Sequence, residues 1–174
     1  MLSKIIVATD GSDHGRKAVV TAADMAAKYG GSLRIAHVMM HGEPPSAFRR
    51  MAQVEHMVDG AHPTKPDIKN IPGGAVALTV SAEQKRVDQQ LVLALAERVA
   101  AFATADAEKQ GAKDVTTEIL EGDPANQILQ AAERAEADLI VIGSRGFGPL
   151  KTLLMGSVSQ KVNQLAKCSC MTVR

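Results

Sequence analysis

The chain has 174 residues, 45% of them hydrophobic and 22% charged, with a formal net charge of +1. This fits one globular domain whose core needs no disulfide or metal. Near-neutrality argues against nucleic acid or an anionic membrane as partner, and an aromatic fraction of 2% leaves few stacking platforms for single strands.

The amino terminus opens on Met1-Leu2-Ser3-Lys4 and shows no charged segment followed by a long apolar one, so no secretory signal is expected. No apolar run reaches bilayer length, so no membrane insertion is expected. Cys168 and Cys170 are too close to bridge within one strand, and the expectation is a reduced, cytoplasmic protein. Ile5-Ile6-Val7-Ala8 is a short β-branched run ending at Thr9-Asp10-Gly11-Ser12, which reads as a buried strand and a turn. Ser12 or Asp13 can cap a helix with Ala18, Ala22, Met25 and Ala26 inward, stopped by Gly30-Gly31. Leu33 to Met40 reads as a second buried strand.

Residues 41 to about 82 break the rhythm. Five of the seven prolines fall there, with Gly73-Gly74. The segment reads as a loop-rich insertion within one domain of residues 1–174, with a short helix around Phe48 to Val58. From Glu83 to Gln110 a helical period returns, with Val87, Leu91, Leu95, Val99 and Phe102 on one face. Val115, Thr117 and Ile119 alternate as a strand. Asp123 caps a helix with Pro124 at its first position, running to about Glu136. Asp138 to Gly143 is a buried strand. A loop from Ser144 to Met155 leads to a helix from about Gly156-Ser157, with Val158, Val162 and Leu165 inward, and Cys170 to Val173 closes the chain as a strand. This alternation predicts an α/β fold, a doubly wound parallel sheet with helices on both faces.

In such sheets ligands sit beyond the carboxyl ends of strands. The turn after the fourth strand is the most informative: Gly143-x2-Gly146, nine residues, then Gly156-Ser157. Glycines let backbone N–H groups approach phosphate oxygens, and the helix opened by Gly156-Ser157 presents free N–H groups and a favourable dipole. Ser157 adds a hydroxyl and Arg145 a forked cation. A single Gly-x2-Gly would read as a tight turn only. The full spacing between a buried strand and a helix favours an anion site.

These blocks resemble the universal stress protein family. Ala8-Thr9-Asp10-Gly11-Ser12 is similar to its opening strand and turn, and Gly122-Asp123-Pro124 with Ile128 to its third turn. Leu139 to Gly146, followed by Gly156-Ser157-Val158-Ser159, is similar to the Gly-x2-Gly-x9-Gly-Ser/Thr pattern of its ATP-binding subgroup. The resemblance covers the chain except the insertion. It implies a five-stranded sheet in the order 3-2-1-4-5 of the adenine-nucleotide α-hydrolase-like kind. ATP would lie across strands 1 and 4, with ADP or AMP as alternatives. Asp10 would sit beside the adenine, Val38 would offer it backbone contacts and Gly122 would lie near the ribose. Gly143, Arg145, Gly146, Gly156, Ser157 and Val158 would hold phosphates, and Ala8, Thr9 and Ser144 complete the candidate set. Asp13 is the candidate to help hold magnesium carried by the nucleotide. A homodimer through the C-terminal strand is expected. Asp10 can equally serve as a turn or cap residue, and Val38 can be plain core.

No Gly-x4-Gly-Lys-Ser/Thr and no complete dinucleotide fingerprint is present, which removes P-loop ATPases and Rossmann dehydrogenases. His37 and His41 straddle a strand end and do not read as a zinc pair; His56 and His62 with Asp59 read as a surface cluster. No carboxylate occurs between Gly143 and Arg174, and phosphoryl transfer needs a positioned base or water-orienting group. The reading is therefore a nucleotide-binding stress or signalling module with no catalytic residue assigned. A slow ATPase and a dimeric scaffold with an incidental site are the alternatives.

Overall fold

The computed structural model describes residues 2–39, 73–146 and 155–174. The helix expected around Phe48 to Val58, and His41, His56 and His62, lie outside the described residues. The elements in chain order are β1 (Lys4–Ala8), α1 (Asp13–Tyr29), β2 (Ser32–Met39), α2 (Gly73–Lys109), β3 (Val115–Glu121), α3 (Pro124–Arg134), β4 (Leu139–Gly143), α4 (Ser157–Leu165) and β5 (Ser169–Val173).

All pairings are parallel and the sheet order is β3-β2-β1-β4-β5, as expected. β1 occupies the centre: Ile5 pairs with Leu33 on one side and Leu139 on the other. Centrality explains composition. Every residue of β4, and all of β1 after Lys4, is buried, because helices cover both faces. Ile5, Val7, Leu33, Ile35, Leu139 and Val141 pack on one face, against α1 and alanines near the end of α2. Ile6, Ala8, Ala36, Ile140 and Ile142 pack on the other, against α3 and Val162 of α4. Each fully buried Val or Ile contributes roughly 1.5–3 kcal/mol relative to exposure. Cys168 and Cys170, partly buried, pack on this second face.

Local signals account for the helix ends. Ser12 caps α1 by accepting from the Gly15 N–H, and Gly30 closes it in the left-handed conformation at φ 64°. Asp123 caps α3 by accepting from the Asn126 N–H, with Pro124 following.

Three expectations need correction. α2 starts at Gly73, ten residues before Glu83, so residues 73–82 are helix and not loop. Glycine in a first helical turn gives up no intrahelical N–H bond, and Ala75-Val76-Ala77-Leu78 continues readily from it. Phe102 is 59% exposed, while Ala96, Ala100, Ala103 and Ala107 are buried. Small side chains let α2 approach closely, and Phe102 instead turns outward beneath Arg98, 5.3 Å from its ring centroid. Leu165 is 51% exposed at the end of α4, whose buried residues are Ser159 and Val162.

The chain divides into two compact units, residues 1–39 with 96–174, and residues 40–95. The sheet and all the geometry below belong to the first unit. The described residues of the second, 73–95, are helical.

Candidate functional site

From β1 the chain steps to β2 and β3 on one side, and β4 and β5 lie on the other. The direction reverses between β1 and β4, so their carboxyl ends border a crevice. Three segments of the first unit converge there: Thr9–Ser12 after β1, Ser144–Gly146 after β4, and Gly156–Ser159 at the start of α4.

The β1 segment is tightly ordered. The Thr9 N–H donates to Ala36 O at 3.0 Å, and the buried His37 places Nδ1 2.9 Å from Thr9 O. His37 is thus a core histidine. Gly11 turns the chain at φ 85°, a conformation that favours glycine. Asp10 Oδ1 accepts from the Ser12 N–H at 3.0 Å and from its hydroxyl at 2.5 Å. A Cβ on Gly15 would lie 2.8 Å from both Asp10 Oδ1 and Thr9 Oγ1. The carboxylate therefore rests on the first turn of α1, where the dipole favours negative charge. Its Oδ2 sits against Gly146, leaving no room for a side chain there.

Ser144 organises the β4 segment. It is fully buried, its N–H donates to Val173 O at 2.6 Å, and its carbonyl accepts from the Gly156 N–H at 2.7 Å and the Ser159 hydroxyl at 3.0 Å. Its own hydroxyl lies 2.7 Å from His14 Nδ1. Ser12 Oγ also reaches Arg145 O at 3.4 Å. Gly143 plays a packing role: a Cβ would fall 2.7 Å from the His14 carbonyl carbon and 2.9 Å from Gly15 N. Gly156 is different, since among the described residues a Cβ there would meet nothing nearer than 3.5 Å. Gly156 caps α4, and no side-chain cap bond forms there among the described residues, so the first-turn N–H groups keep donors that a helix start leaves without intrahelical partners.

Ala8, Thr9, Asp10, Ser144, Arg145, Gly146 and Gly156 thus come together, with Ser157 and Val158 in the adjoining first turn of α4. Val38 and Gly122 stand apart, toward the β2–β3 side: Val38 pairs with Leu120 and packs on the core. Gly122 holds φ 133°, with Gln127 beside it. Asp13 is exposed at the first position of α1. Among the described residues no group of three or more His, Cys, Asp or Glu side chains could hold a metal. Lys161 of α4 reaches Asp123 at 3.0 Å; this bond, and then the Asn126 N–H, hold the Asp123 carboxyl below its ordinary value.

Sequence reasoning missed His14 and did not place Ser12 in the site. The cue was available: Ser12 caps α1 and His14 lies in its first turn, which must approach β4 if α1 crosses over beside it. Two shallow cavities, of about 160 and 310 Å³, open at the opposite, amino-terminal end of the sheet.

The crevice combines a carboxylate, glycine-lined backbone and an uncapped helix N-terminus. The first suits an amino or hydroxyl donor; the others suit an anion.

A doubly wound sheet with a glycine-bordered crevice at its switch point defines a broad class of α/β proteins. The comparisons narrow it. The Universal stress protein family model matches residues 1–61 and 70–174, and the chain belongs to that family. The stress response protein NhaX of Bacillus subtilis is 32% identical, over 98% of this chain and 97% of its own. A universal stress protein crystallised in complex with cAMP superposes with a TM-score of 0.59 at 22% identity, covering 99% of this chain and 97% of its own. The universal stress protein of Archaeoglobus fulgidus in complex with dAMP gives a TM-score of 0.59 at 18% identity, covering all of both chains. These two likenesses establish the fold.

Proposed function

We propose that this chain binds an adenine nucleotide, ATP foremost, in the crevice between β1 and β4, and that it serves as a stress-response or signalling module through nucleotide-dependent conformation or assembly. The observation that carries the reading is the meeting of Asp10 with the Ser144–Gly146 turn and the uncapped start of α4. Two proteins of the same fold have structures in complex with cAMP and dAMP, which supports adenine as the base. Asp10 would accept from the base, and Gly146, Gly156, Ser157, Val158 and Arg145 would hold the phosphates. Val38 and Gly122 would line the base and ribose side, and Asp13 would help hold magnesium brought with the nucleotide. Binding is favoured over rapid turnover, because no carboxylate follows Gly143 in the sequence to act as a base on that side of the site.

Assembly as a homodimer through β5 fits the same reading. β5 is a sheet edge whose Met171 is 36% exposed, and paired edges satisfy each other's free backbone groups. The expected location remains the cytoplasm.

The test is calorimetric titration of the protein with ATP, ADP, AMP, adenosine and GTP, with and without magnesium. ATP is expected to bind more tightly than adenosine and than GTP. Equal affinity for ATP and adenosine would remove the phosphate site, and no binding of any adenine nucleotide at millimolar concentration would remove the function.

A further inference from the structure

We propose that His14 is a positioning residue of this crevice, which through the buried Ser144 hydroxyl sets the first peptide of the glycine turn for the phosphates. The proposal rests on the nucleotide reading above.

The hydrogen-bonded ladder between β1 and β4 ends at the Ala8–Ile142 pair. Beyond it no backbone pairing joins the two described segments, and side chains link them. Ser12 does so at 3.4 Å to Arg145 O, too long to hold a loop firmly. His14 does so at 2.7 Å to Ser144 Oγ. The grip is tight because Gly143, with no Cβ, lets the end of β4 press on the His14 backbone.

Ser144 transmits that grip. Every polar group it carries has a partner: Val173 for its N–H, Gly156 and Ser159 for its carbonyl, His14 for its hydroxyl. Its carbonyl anchors Gly156, the first residue of the helix start that would face the phosphates. A shift of Ser144 therefore moves the Arg145–Gly146 peptides and the α4 N-terminus together, while Asp10 stays bound to Ser12. A phosphate-bearing ligand should feel such a shift, and a ligand held only near Asp10 should not.

The experiment compares His14→Ala and Ser144→Ala with the unaltered protein in titrations with ATP and with adenosine. Loss of one such hydrogen bond is expected to weaken ATP about tenfold, with adenosine changed less than about threefold. Either folded variant that loses ATP and adenosine alike, or loses neither, overturns the proposal. In the unaltered protein the ¹⁵N resonances of the His14 ring are expected to move on adding ATP and to hold still on adding adenosine. A ring that ignores ATP while ATP binds overturns the proposal without any variant and leaves nucleotide binding standing. Failure of the unaltered protein to bind ATP at all overturns both.

Discussion

The two ends of the sheet are built differently. At the carboxyl end of β1 and β4, short neutral side chains are buried and hydrogen-bonded: Thr9, Ser12, Ser144 and Ser159 are all under 9% exposed. At the amino end, long charged side chains pair in the open. Lys4 meets Glu136 at 2.7 Å, with both side chains largely exposed. Asp138 accepts from the backbone N–H groups of Ser3 and Lys4 and from the Ser3 hydroxyl at 2.8 to 2.9 Å. Exposed pairs of this sort contribute about 0–1 kcal/mol each, whereas a buried hydroxyl left unpaired costs about 1–3 kcal/mol. One end is thus shaped for fixed geometry, and the other tolerates movement and change.

The largest effect should come from Gly143. Gly143→Ala places a Cβ on the backbone of His14, and overpacking against backbone costs about 1–3 kcal/mol. Gly156→Ala meets only ordinary contacts among the described residues and, as the loss of a glycine N-cap, should cost less than about 1 kcal/mol. Urea denaturation of the two variants checks this. Equal stabilities would mean that the glycines of the turn are interchangeable, and the packing role given to Gly143 would be wrong.

The amino end should instead show itself through pH. The Ser3 and Lys4 N–H groups hold the Asp138 carboxyl below its ordinary value of 3.8, and Lys4 holds that of Glu136 below 4.5. Lowered folded values mean that the ionised forms stabilise the fold above the ordinary values. That contribution is lost as pH falls through the folded values. The urea midpoint should therefore fall between pH 5 and pH 2, and Asp138→Asn should flatten the fall. An unchanged slope in that variant would show that Asp138 does not clamp the start of β1.

What was legible in the sequence follows the same division. β1 and β4 stood out because burial on both faces demands unbroken apolar runs. Ser12, Gly30 and Asp123-Pro124 marked helix ends through local chemistry that neighbours alone decide. The sheet order came from family resemblance, not from the residues. The start of α2 was missed because Gly73-Gly74 after Pro72 looks like a breaker, and only position within a helix shows that a first turn tolerates it. Phe102 was turned inward because periodicity weighs large apolar residues, while close packing selected Ala96, Ala100, Ala103 and Ala107. In the candidate site, the glycine spacing was visible, but His14 was not. Its meeting with Ser144, 130 residues away, exists only once α1 lies beside β4. Gly143 likewise read as a phosphate glycine, and its close approach to α1 is a tertiary fact.

The measurement that bears most directly on the whole account is an amide ¹H–¹⁵N titration of the intact chain with ATP. The account predicts shifts concentrated at Thr9 to Ser12, Ser144 to Gly146 and Gly156 to Ser159, with Lys4, Arg34, Asp114 and Arg134 at the amino end unmoved. Shifts centred on those amino-end residues, or none anywhere at saturating ATP, would contradict it.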